Sequence, residues 1–351
     1  MDDIAIIGWG RTQLSRRTDV TEPQLCLEAN LEALAMAGVN LKDIGFTCSG
    51  SCDYLSGGPF VFVQNLEAAG AWPPISESHV EMDGAWALYE AWVRLQEGDI
   101  DLALVFGSGK SSPSDPYTLY PSQLDPYYLE PIGLDPVSIA GLQAQALIDA
   151  GKATERDFAE VAARSRRAAE SNPLAQVSGS ADVDALLAEP YVRQPLRRHD
   201  LPPITDGACS VILATADKAR ELSKNPIWIR GIDHRLEPHQ PGMRDLTVST
   251  STATAGRIAG VDKAPVDFAE LSVTFSPQES ILVEALGLSP DVKINPSGGP
   301  LAGNPVMATG LLRFVEASAR LAAGEGKRAV AHATGGQGLQ QNLVAVLEVG
   351  A

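Results

Sequence analysis

The sequence is short of the residues that usually announce a simple chemistry. Its 351 residues hold four cysteines and five histidines. Cys48 and Cys52 stand four apart with no histidine nearby, which does not suit a zinc site, so no metal is expected. Cys26 falls in a helical pattern and Cys209 in an apolar run, as core residues do; Cys52 alone has a loop context, CSGSCDY. So few cysteines in a long chain predict reduced thiols in a cytoplasm, and the acidic opening MDDIAIIGWG reads as a strand and not as a secretory leader. Cations are scarce too: 27 Lys and Arg against 44 Asp and Glu leave a net charge of −17, which excludes nucleic acid as a partner. The basic clusters are small (Arg16-Arg17, Arg164/Arg166/Arg167, Arg197-Arg198) and read as solvated surface or as a local hold on a phosphate. No apolar run approaches the roughly 18 residues of a membrane span. Tyrosine is absent after Tyr191.

What is present is an internal repeat. AWVRLQEGDIDLALVFGSG (Ala91 to Gly109) lies over ASARLAAGEGKRAVAHATG (Ala317 to Gly335) at a constant offset. Ala91/Ala317, Arg94/Arg320, Leu95/Leu321, Gly98/Gly324, Ala103/Ala329 and Gly109/Gly335 are then identical, and Gly84 falls on Gly310. A helix–turn–strand unit used twice predicts a duplicated fold, with a site where the copies meet. Gly84 to Leu95 is apolar around most of its circumference, as a helix buried between layers must be. Leu102–Phe106 is continuously apolar and fits a central strand. Such alternation of strand and helix predicts an α/β fold of two halves, 1–220 and 221–351.

Other stretches punctuate this pattern. Thr21-Glu22-Pro23 opens a helix that Gly38 closes. Gly8-Trp9-Gly10 after the first strand lacks the third glycine of a dinucleotide loop, and no helix opens at once, so that reading is discarded. Residues 111–136 carry six prolines and Tyr117, Tyr120, Tyr127 and Tyr128, which excludes a long regular element. They begin a cover at about 111–200, either a lid over a ligand with Tyr117 and Tyr120 facing it, or a surface excursion packed on its own tyrosines. A strand is expected at Glu270–Phe275, a glycine-rich loop at Lys293–Asn304 and the second buried helix at Val306–Ala323.

Three stretches carry a family resemblance. FAEVAARSRRAAESNPLAQ (Phe158 to Gln176), PITDGACSVILATADKA (Pro203 to Ala219) and NPSGGPLAGNPVMATGLLRFVE (Asn295 to Glu316) resemble, in order, the Asn-Pro turn, the Asp-Gly-Ala strand and the glycine loop of the thiolase superfamily. The likeness is greatest to sterol-carrier-type thiolases and thiolase-like lipid-transfer proteins. It implies a thiolase-like fold of two βαβ-rich halves, layered α–β–α–β–α, and a dimer or larger oligomer. It also implies a coenzyme A thioester as substrate moiety, with no covalently bound cofactor.

The resemblance locates the catalytic positions and finds them changed. Counting back from Gly84, the nucleophilic cysteine position falls on Glu81, with Asp83 beside it. The Gly-His-Pro histidine falls on Asn304, and the family's His or Asn before Phe falls on Ser272 or Thr274. The second cysteine position is Ala333, next to His332. With no cysteine–histidine pair, thiolysis through an acyl-cysteine is not expected. Retro-aldol cleavage of a β-hydroxyacyl-CoA needs only a base and donors for an enolate oxygen. Thiolase-like proteins of the branch that cleaves sterol side chains work this way beside a small zinc-ribbon and OB-fold partner. Their tyrosines near the Ser272 and Pro305 positions are absent here.

The candidate roles follow. Glu81 is a base or a helix-start carboxylate, Asp83 a base or an N-cap, and Asn304 a thioester donor. His332 is a catalytic or a core histidine. Gly335 and Gly336 complete an oxyanion hole or turn the chain, and Gly303, Ser272 and Thr274 contact the substrate. His79, His199, His234 and His239 show no metal spacing and no triad partner. Three functions remain open: a lyase acting on a steroid or similar side chain, a non-catalytic subunit paired with a second thiolase-like chain, and an acyl-CoA or lipid binder.

Overall fold

The computed structural model describes residues 3–71 and 74–350, leaving aside the side chain of Tyr117. Its strands are β1 (Ile4–Arg11), β2 (Phe46–Gly50), β3 (Glu77–Val80), β4 (Leu102–Lys110), β5 (Tyr191–Arg193), β6 (Leu196–Arg197) and β7 (Ile204–Thr215). There follow β8 (Ile227–Leu236), β9 (Phe268–Glu270), β10 (Lys293–Ile294), β11 (Asn304–Pro305), β12 (Arg328–Gly335) and β13 (Gln341–Val349).

The repeat seen in sequence is repeated in topology. Hydrogen-bonded neighbours run β3-β2-β4-β7-β1 and then β8-β13-β12-β9-β10. Each half thus places its main strands in the order third, second, fourth, fifth, first. In both, the fourth and fifth strands pair antiparallel while the second lies parallel to its neighbours. The halves join edge to edge, with Ile4 opposite Ile229 and Ile6 opposite Ile227.

Period-two alternation along these strands builds two kinds of core. Ile4, Ile6, Ala103, Val105, Val211 and Leu213 of the first half share one cluster with Ala329, Ala331, Leu343, Ala345 and Leu347 of the second. Between them lie helices Gly84–Leu95 and Thr309–Ala322, whose Leu88, Leu311 and Phe314 are fully buried. The opposite faces are covered separately: Ala5, Leu102, Leu104 and Ile212 by helix Glu22–Ala37, and Val330, Val344 and Val346 by helices Thr250–Ala259 and Gln278–Leu286. The layers are therefore α–β–α–β–α, as the family resemblance implies.

Glycines allow the middle layer to close. A Cβ on Gly84 would lie 2.9 Å from Leu311 and 3.0 Å from the Gly107 backbone, and one on Gly310 would lie 2.5 Å from Asp83 Oδ1. The repeated pair Gly84/Gly310 is kept small because each helix start rests against the other. Gly8 and Gly10 serve packing in the same way, since side chains there would strike the Ala33 and Ala29 carbonyls.

Several expectations need correction. The second buried helix begins at Thr309, not Val306, because 304–308 are spent on β11 and a turn. The strand expected at Glu270–Phe275 ends at Glu270, and tight bonds from Val273 N to Leu271 O and Thr274 N to Ser272 O turn the chain away. Within 111–136, short helical turns at Pro116–Leu119, Tyr120–Gln123 and Glu130–Ile132 fit between the prolines. No helix among the described residues is long and apolar enough to cross a membrane.

Candidate functional site

The starts of the two middle helices converge on one carboxylate. Asp83 precedes helix Gly84–Leu95 and accepts from Ala85 N at 2.9 Å, as an N-cap should. It also accepts from Gly310 N at 2.7 Å and Leu311 N at 2.9 Å, capping the second helix from outside. Burial pushes its carboxyl above the ordinary value, while the three amides and Arg313 pull it back. Two helix N-termini, which together favour an anion, are occupied by this side chain.

Over this junction opens a cleft of about 410 Å³ lined by both halves. Glu81, Asp83, Tyr120, Ser272, Thr274, Asn304, Gly335 and Gly336 all reach it. Asn304 is held by β11 pairing with β7 and by Thr309 Oγ1, which donates to Asn304 Oδ1 at 2.6 Å. The loop before it is anchored by Glu270, which accepts from Ser297 N (2.9 Å), Ser297 Oγ (2.6 Å) and Arg313 Nη1 (2.6 Å). Gly335 ends the β12 ladder opposite Gln341, and Gly336 follows at φ +67°, so the pair turns the chain and lines the cleft at once.

Glu81 is not at a buried junction. It follows β3, the last strand of the sheet, so its side chain faces the rim and is 47% exposed. One oxygen accepts from Asp53 N at 2.7 Å, and the other lies 3.6 Å from His79 Nε2. His79 in turn meets Ser49 Oγ at 3.0 Å and stacks on Phe62.

Two candidates fall outside the cleft lining. His332 is fully buried in β12, where burial lowers its pKa to about 4. Its Nδ1 accepts from Ser272 N (3.3 Å), which leaves the proton on Nε2 for Asn342 Oδ1 (3.0 Å). It is a neutral core histidine that fixes the backbone of Ser272. Gly303 lies beneath Leu14, whose Cδ1 would be 2.5 Å from any Cβ, so it is a packing glycine. The side chain of Tyr117 lies outside the described residues.

Sequence reasoning passed over other lining residues. His239 reaches the cleft from an exposed loop after β8 that carries no periodic pattern. Gln337 enters because Gly336 and Gly338, at φ +67° and +62°, set the turn between β12 and β13. Cys52 also lines it, but burial drives its thiol up to about 11, so no thiolate is offered at neutral pH.

The comparisons with known proteins agree in kind. No protein-family profile matches the sequence. The acetyl-CoA acetyltransferase of Methanothermobacter thermautotrophicus is 28% identical over 94% of this chain and 94% of its own length. The 17-hydroxy-3-oxo-4-pregnene-20-carboxyl-CoA lyase of Mycobacterium tuberculosis is 25% identical over 81% of this chain and 78% of its own. Among solved structures, the Ltp2-ChsH2(DUF35) aldolase superposes with a TM-score of 0.81 at 20% identity, covering 99% of this chain and 98% of the other. That structural likeness carries the fold alone, and the sequence relatives show what the chain is similar to. With one strand order used twice around a pair of converging helices, the chain has a thiolase-like fold and is similar along most of its length to members of the thiolase superfamily.

Proposed function

We propose that this chain is part of an acyl-CoA carbon–carbon lyase that cleaves a β-hydroxyacyl-CoA by a retro-aldol reaction, with a steroid or similar side chain as the acyl group. The carrying observation is that Asp83 closes the helix N-termini while Asn304, positioned by its contact with Thr309, brings its side-chain amide to the cleft lining. In this reading a base, Glu81, takes the β-hydroxyl proton. The Cα–Cβ bond breaks to leave a carbonyl compound, and its electron pair passes to the thioester as an enolate. Asn304 and the amides at Gly335 and Gly336 stabilise that oxygen until Cα is protonated. The pregnene-carboxyl-CoA lyase supports the substrate class, and the aldolase, a complex with a DUF35 partner, supports a hetero-oligomer.

The test is to purify the chain with the products of its neighbouring genes and assay both cleavages on a panel of steroid CoA thioesters. Retro-aldol products are expected, with kcat lowered about 10²- to 10³-fold by Asn304→Ala. Robust CoA-dependent thiolysis by this chain alone would overturn the reading. One observation favours a second reading, a partner subunit with no chemistry of its own: Glu81 and Asp83 both already accept backbone amides. Its signature is activity of the complex that survives Glu81→Gln and Asn304→Ala together.

A further inference from the structure

The polar lining of the cleft has a sign and two unmet bonds. Among the described residues that line it there is no Lys or Arg, while Glu81 and Asp83 are acidic. The helix N-termini are neutralised by Asp83. Arg244 does not line the cleft and donates to the Gln337 and Gly338 carbonyls. His239 is the one imidazole there, on an exposed loop.

The unmet bonds are Ser272 Oγ and Gln337 Oε1, both buried without a partner among the described residues. Ser272 is 1% exposed, and its backbone is pinned by His332. Gln337 Nε2 donates to Tyr120 O at 3.2 Å. Flipping the amide would set two oxygens against each other, so Oε1 is the atom left over. That atom only accepts, and a ligand must bring it a proton. A ketone or a carboxylate brings none; a hydroxyl does. Ser272 Oγ can then donate to, or accept from, an oxygen on the same acyl group.

We infer that the cleft selects a neutral, hydroxyl-bearing acyl group and rejects acyl chains that carry a carboxylate, with Ser272 and Gln337 as the residues that read the hydroxyl. This inference rests on the reading of the cleft as an acyl-thioester site. An unpaired buried acceptor is costly, so a hydroxyl that meets it gains affinity. A carboxylate in an acidic, cation-free wall is left without a counter-ion and loses it.

The experiment is calorimetric titration of the chain, in its complex where one forms, with three CoA thioesters of one chain length that lack a β-hydroxyl and are not retro-aldol substrates. These are hexanoyl-CoA, 6-hydroxyhexanoyl-CoA and adipoyl-CoA. The hydroxylated ligand is expected to bind about tenfold more tightly than hexanoyl-CoA, and adipoyl-CoA about tenfold more weakly. Ser272→Ala and Gln337→Leu are each expected to shrink the ratio of 6-hydroxyhexanoyl-CoA to hexanoyl-CoA affinity to about twofold, with an unchanged circular dichroism spectrum and a cooperative thermal transition reporting that the variants are folded. Equal affinities, as when water already satisfies both atoms, overturn the inference, and so does preferred binding of adipoyl-CoA. Discrimination without turnover of any β-hydroxyacyl-CoA sustains the inference and removes the lyase reading. Cleavage without discrimination does the reverse, and failure of all three ligands to bind overturns both.

Discussion

At the scale of residues, Asp83 shows how a functional-looking carboxylate becomes a structural one. Three backbone amides end on it, two from a helix that begins 226 positions further on. Asp83→Ala would strand three buried donors, and a loss of about 3 kcal/mol or more is expected in urea unfolding. Asp83→Asn, with one oxygen retained, is expected to fall between. His332 makes a pH-dependent contribution whose sign follows from its depressed pKa. A folded value near 4 against an ordinary 6.5 means that the unfolded chain binds the proton more tightly. Stability is therefore complete above pH 6.5 and is lost as pH falls toward 4, by roughly 3 kcal/mol from this group. Unfolding midpoints measured across that window are expected to fall less steeply in His332→Leu than in the natural chain. An unchanged slope would show that the imidazole is not buried as a neutral ring.

Among elements, the two middle helices make an unusual demand on glycine. In a helix, Gly→Ala ordinarily stabilises by about 0.5–1 kcal/mol. Here the opposite sign is expected at Gly310, where a methyl group would meet Asp83 Oδ1 at 2.5 Å and Ala333 Cβ at 2.6 Å. Neither neighbour can yield, since one is held by three amides and the other lies in β12. A cost of about 1–3 kcal/mol is expected in thermal or urea unfolding. Gly84→Ala is expected to cost less, because its nearest contact is Leu311 Cδ2, a side-chain terminus with rotamers to try. The repeat in sequence was readable at this scale: the helix–turn–strand offset carries directly onto β4 and β12. The ends of elements were less readable. Leu271–Phe275 has a strand's composition yet turns, because Asn295 Oδ1 takes Leu271 N (2.6 Å) and His332 takes Ser272 N.

For the whole molecule, the shared cluster between the sheets means that neither half closes its core alone. Leu311, Phe314 and Val315 pack in the same cluster as Ile4, Val105 and Val211. A fragment of residues 1–220 would expose that face and lose the amides of Gly310 and Leu311 to Asp83. It is expected to give no cooperative unfolding transition and to bind a hydrophobic dye, whereas co-expression with 221–351 restores a folded complex. A cooperative transition for 1–220 alone would show that the first sheet is self-sufficient.

The sequence by itself determined the α/β class and the duplication, because strand alternation and glycine spacing are local properties. It also placed Glu81, Asp83 and Asn304 near one another through the family's spacing. What each does was decided only by the tertiary structure. Whether a carboxylate is a base or a cap depends on which amides converge on it, and here those come from the far half of the chain. Whether a histidine faces a cleft or a core depends on strand register, and β12 turns His332 inward. Which polar atoms line the cleft, and which of them lack a partner, is likewise decided only by the packing of the two halves.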